Sequence, residues 1–111
     1  MVVEDIVMVM YPMVCEKLNY KVPVDIQAIP SYEYDVGLAL CKHVGGNKYQ
    51  IHYNPKCPDL VLMICHELVH IVQHLRGDIF KYDLPYKEQI HEIEAYSLEQ
   101  ELADIYYKLT L

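Results

Sequence analysis

At 111 residues the chain has room for one domain and too little length for two. Its composition, 53% hydrophobic and 23% charged, is that of a globular protein and argues against a disordered or low-complexity chain. Sixteen acidic residues against nine basic ones leave a net charge of −7, which argues against a nucleic-acid binder and is compatible with neutral or cationic partners.

Taken in chain order, residues 2–19 predict a helix, because Val3, Ile6, Val7, Met10, Val14 and Leu18 recur at spacings of three and four. Pro12 is expected to kink or split it. This N-terminal stretch carries Glu4 and Asp5, lacks a basic start, and meets Pro12 and Glu16 before a membrane-spanning run accumulates. The expectation is therefore no signal peptide, no membrane span and a cytoplasmic location. Cys15, Cys41, Cys57 and Cys65 form no CxxC pair and read as reduced, packed thiols.

Val22 to Ile29 alternates apolar and polar residues and predicts a strand ending at Pro30; Val36 to His43 predicts a second. Gly45-Gly46-Asn47 then turns the chain into a third strand, Lys48 to Tyr53, closing a hairpin. Asn54-Pro55 and Cys57-Pro58 open a helix, with Pro58 suited to its first turn, that stops near Leu75 at Arg76-Gly77. Arg76-Gly77-Asp78 also spells an adhesion tripeptide, but a helix cap accounts for it. After Asp83-Leu84-Pro85 a last helix of about two dozen residues follows. The sum is a single α+β domain over residues 1–111: an N-terminal helix, a small three-stranded sheet with a hairpin, and two helices.

The chemistry lies in His66-Glu67-Leu68-Val69-His70. Histidines four apart on a helix point the same way one turn apart, which sets two nitrogens at neighbouring corners of a zinc tetrahedron. Glu67 falls beside the metal's open side, where a carboxylate can take a proton from the water the metal activates and pass it to a leaving amine. Met63, Ile64, Leu68, Val69, Ile71 and Val72 make this helix nearly all apolar. Two histidines and a glutamate in such surroundings are costly to desolvate without a partner.

A catalytic zinc site takes a third protein ligand. His91, Glu92 and Glu94, at the start of the last helix, all qualify, and spacing alone does not choose among them. Glu88, Glu92 and Glu99 lie along one side of that helix, a pattern that ordinarily marks solvated surface.

The two-helix arrangement resembles the gluzincin metallopeptidases, the clan that includes thermolysin. Glu92-Ile93-Glu94-Ala95 is similar to the glutamate segments of the membrane CAAX-type peptidases and of the small ImmA-like peptidases. Both likenesses imply Glu92 as third ligand. The order of elements and the chain length resemble the minigluzincins, a likeness that covers most of residues 20–105. One departure stands out: many gluzincins have an Asp four residues after the ligand Glu, supporting a ligand histidine, and here that position is Tyr96.

The resemblance implies a zinc endopeptidase with Zn²⁺ on His66, His70 and Glu92, Glu67 as general base and acid, and a peptide or protein as substrate. It implies a substrate-pairing strand, expected in Lys48 to Tyr53 with Tyr49, Ile51 and Tyr53 as contacts. An oxyanion donor is expected among Tyr82, Tyr86, His74, His91 and Tyr96. The tail, residues 103–111, reads plainly as helix packed on its own core. By resemblance it could instead hold the enzyme latent by blocking the cleft, in its own chain or across a homodimer. The alternative to an enzyme is a non-catalytic zinc sensor or interaction module.

Overall fold

The computed structural model describes residues 3–110. Met1, Val2 and Leu111 lie outside the described residues, and with them the expected helix start at residue 2 and the last residue of the tail. The elements are α1 (Val3–Leu18), β1 (Asp25–Pro30), β2 (Ala39–Gly45), β3 (Lys48–Tyr53), α2 (Leu60–Leu75) and α3 (Ile90–Thr110), with a single 3-10 turn at Tyr86–Glu88. This is the expected α+β order.

Helix α1 runs through Pro12 unbroken. Pro12 is solvent-exposed, and the carbonyl its missing N–H would have engaged belongs to Met8, itself 70% exposed, so water can satisfy it. The helix ends at Asn19, whose positive φ of 52° lets Tyr20 N–H bond back to the Cys15 carbonyl. Strand β1 begins at Asp25 rather than Val22, and β2 at Ala39 rather than Val36.

The sheet has the order β1-β3-β2, with β3 parallel to β1 and antiparallel to β2. Strand β3 is thus central and paired along both edges. The expectation that it receives substrate is corrected on that ground, since no row of its backbone groups is free. Tyr49, Ile51 and Tyr53 are buried beneath it, at 3%, 0% and 7% exposure. The free edge beside the helix that carries His66 and His70 belongs to β2.

Helix α2 is the spine of the molecule, packed by α1, α3 and the sheet, with Ile64, Leu68, Val69, Ile71 and Val72 fully buried. Its N-cap is Asp59, whose carboxylate accepts from Leu62 N–H, so Pro58 stands outside the helix rather than in its first turn. At the other end Gly77, with φ of 84°, allows Asp78 N–H to reach the Gln73 carbonyl. The Arg76 guanidinium bonds Asp78 in turn, so the charged ends of the adhesion tripeptide hold each other. Helix α3 buries Ala95, Leu102, Ala103 and Tyr106 against the core. None of residues 103–110 lines the cleft that runs along α2, so none of these described residues blocks it within its own chain. No described helix is long and apolar enough to cross a membrane.

Candidate metal centre

A cleft of about 830 Å³ runs along α2, walled by β2 on one side and by the 78–89 loop and the start of α3 on the other. His66 and His70 project from α2 with their Nε2 atoms 3.1 Å apart. The Glu92 carboxylate, on the first turn of α3, meets both: its Oε1 is 3.2 Å from His66 Nε2 and closer still to His70 Nε2. One ligand atom from each of these residues lies within 4.8 Å of the other two, so the group could hold a metal ion. Tetrahedral bonds of about 2.0–2.1 Å put neighbouring ligand atoms about 3.3 Å apart, close to the spacings of His66 Nε2 from His70 Nε2 and from Glu92 Oε1, whereas Glu92 and His70 are in closer contact than a shared ion would leave them.

The three candidates left open for the third position separate cleanly. Glu92 turns into the site. Glu94 points the other way and accepts from Gln73 and Arg76. The His91 ring stacks on Phe80 at a centroid distance of 4.5 Å, while its backbone carbonyl accepts from the Gln73 amide.

Behind each histidine stands an acceptor that fixes its orientation. His66 Nδ1 donates to the Glu99 carboxylate at 2.7 Å, and His70 Nδ1 to the Gln73 side-chain oxygen at 2.7 Å. Gln73 has no freedom to turn over, because its amide nitrogen donates to the His91 carbonyl and to Glu94, both at 2.9 Å. Both rings therefore carry the proton on Nδ1 and present an Nε2 lone pair to the common point.

Glu99 is the residue that sequence reasoning missed. Its spacing from Glu88 and Glu92 reads as solvated surface, whereas Glu92 is 6% exposed and Glu99 faces His66. A signal existed: 92, 95, 99, 102 and 106 form one helical stripe, and Ala95, Leu102 and Tyr106 on it are core. Tyr96 does not support a ligand through a hydrogen bond to its ring. It packs its ring edge-on to His66 at 4.7 Å and bonds its hydroxyl to that of Tyr86 at 3.0 Å.

Electrostatics follow the packing. Glu67, 8% exposed and lining the cleft, has its carboxyl pushed up to about 8 by burial and then by the negative charge of Glu92. Burial would raise Glu92 too, but the Tyr86 hydroxyl and the His70 and His66 rings outweigh it and hold that carboxyl below its ordinary range. Burial lowers His70. The Tyr86 hydroxyl is raised by burial and by its contacts with Glu92 and Tyr96, which places it beside Glu92. Cys41, on the cleft side of β2, is pushed up to about 12 by burial with Glu67 nearby, so it stays a neutral thiol. All four cysteines are free, with Cys15 and Cys65 buried. No family model, curated protein or solved structure matches the chain.

Proposed function

We propose that the protein is a zinc-dependent peptidase that hydrolyses peptide bonds in the cleft along α2. The observation that carries this reading is the convergence of two histidine Nε2 atoms and one carboxylate, with the buried Glu67 carboxyl opening onto the same cleft. Two nitrogens and one oxygen are the donor set of catalytic rather than structural zinc, which takes four protein ligands. Zinc held there would act as a Lewis acid and make water nucleophilic near neutral pH.

The chain's own residues supply the remaining steps. Glu67, whose own proton the positive charge of a bound zinc would draw off, would accept one from the attacking water and deliver it to the leaving amine. Tyr86 is the oxyanion donor assigned here, because its hydroxyl stands beside Glu92 on the wall of the cleft that faces β2. An extended peptide would add to the free edge of β2, whose residues from Ala39 to His43 flank α2.

The test couples metal content to turnover. Elemental analysis of stripped and reconstituted protein should give about one zinc per chain, with cleavage of an unfolded protein substrate only when zinc is present. Glu67→Gln should keep the zinc and lose at least about a thousandfold in kcat, the scale of removing a general base together with its proton delivery. Zinc bound equally by both proteins, with no cleavage by either, would make this a zinc-binding module instead.

A further inference from the structure

Beyond the metal ligands, the end of the cleft toward the C-terminus of α2 holds a second group of ring nitrogens. His43 on β2 and His74 on α2 both line it and are both exposed. Their ring centroids are 4.8 Å apart and the planes inclined by 48°. Each ring has one nitrogen committed to the protein. His43 Nε2 lies 2.7 Å from the Gly46 carbonyl, which can only accept, so that nitrogen bears a proton. His74 Nδ1 lies 2.5 Å from the hydroxyl of the buried Tyr49. His43 Nδ1 and His74 Nε2 are left over.

These two histidines differ from the metal-site pair in what faces them. His66 and His70 meet Glu92, and His66 also meets Glu99, whereas no carboxylate pairs with His43 or His74 among the described residues. Neither Lys nor Arg lines the cleft. Satisfying the Tyr49 hydroxyl explains one of the two rings. It does not explain why a second imidazole, bonded to a different partner, is set against the first. A single added proton makes both spare nitrogens donors, and a carboxylate with two oxygens can accept from both.

We propose that His43 and His74 form a carboxylate-binding subsite of the cleft, which anchors a substrate by its free C-terminus or by an acidic side chain. The proposal rests on the peptidase reading and narrows its substrate class. His74 follows His70 by one helical turn, about 6 Å of rise. An extended peptide covers that in about two residues. The anchored carboxylate therefore belongs about two residues from the bond that is cut.

Calorimetry on zinc-loaded Glu67→Gln protein, which binds without cleaving, tests it with four acetylated pentapeptides. One pair shares a sequence and ends in a free acid or an amide; the other pair is amidated and carries Glu or Gln at the last position. At least one carboxylate peptide should bind about tenfold tighter than its neutral mate. A preference only in the first pair identifies the chain terminus, and one only in the second identifies the side chain. The preference should vanish when His43→Gln and His74→Gln are added, with zinc content unchanged. Equal affinities within both pairs overturn the proposal, as does a preference that survives the double substitution, which would belong to the zinc. If none of the four peptides binds, the peptidase reading fails separately. The subsite is then decided on the unsubstituted zinc-loaded protein by imidazole ¹⁵N resonances. Shifts of His43 and His74 with acetylglutamate α-amide, and not with acetylglutamine amide, support it; no shift sinks it.

Discussion

Helices α2 and α3 bring polar groups to the same point by opposite routes. Helix α2 is apolar almost throughout, so His66, Glu67, His70 and Gln73 stand out as buried or half-buried polar exceptions. Helix α3 carries five acids, of which Glu92 alone is buried and Glu94 and Glu99 are half-buried. On α2 the type of residue marks the site; on α3 only position does. The lesson is that a polar residue informs in proportion to what burying it would cost, and that cost is visible in a sequence only against an apolar background.

The sharpest way to break this contrast is on α3. Glu92→Ala should weaken zinc binding by at least about a hundredfold, beyond the range expected for a supporting residue, while Glu94→Ala changes it little. Competition with a chromogenic chelator measures both, and equal effects would erase the distinction between the two acids. Next in size are the supports behind the histidines. Glu99→Gln and Gln73→Leu should each cost about 10–100-fold in zinc affinity. Gln73→Leu should also destabilise the metal-free protein by about 1–3 kcal/mol in urea melts, because it strips a partner from a buried carbonyl; Glu99→Gln should not.

A third prediction concerns the cost of burial on α2. In the metal-free fold Glu67 holds its proton up to about pH 8, against an ordinary 4.5. Between those values the native state binds more proton than the unfolded chain, so this group's contribution to stability falls as pH rises. Glu67→Gln removes that loss. In chelator, its Tm should exceed the wild type's by roughly 20 °C at pH 8 and nearly match it at pH 4.5. A pH-independent offset would mean that Glu67 is not desolvated as described. The smallest effect is expected outside the site altogether: Asp59→Ala removes the α2 cap and should cost about 1 kcal/mol in denaturant melts, with zinc affinity unchanged.

Much of the fold was legible because its signals are local. The three- and four-residue spacing in α1, the paired glycines before β3, and Gly77 after α2 each act within a few residues. The strand order was not legible. The parallel pairing of β1 with β3 inserts one strand beside another that the hairpin alone would leave on an edge, and nothing within either strand encodes it. Val36 and Leu38 look like strand residues yet belong to the turn before β2 and remain exposed. In the site, His66, Glu67 and His70 share one turn and could be read together. Glu92 needed a resemblance to be chosen, and Glu99, two turns further on, needed coordinates.

The knot formed by Gln73, Arg76, Asp78 and Glu94 sits where α2 ends and α3 has just begun. It fixes the register of the two helices without help from the intervening chain, whose Ile79 and Tyr82 are 82% and 71% exposed. Apart from Phe80, which stacks on His91, the segment from Ile79 to Asp83 is thereby relieved of architectural duty. Insertions or deletions there would lengthen or shorten the wall of the cleft at a small closure entropy, while the helices behind it keep their relative positions. In evolutionary terms the molecule separates a part that must not drift from a part that is free to, and places them side by side.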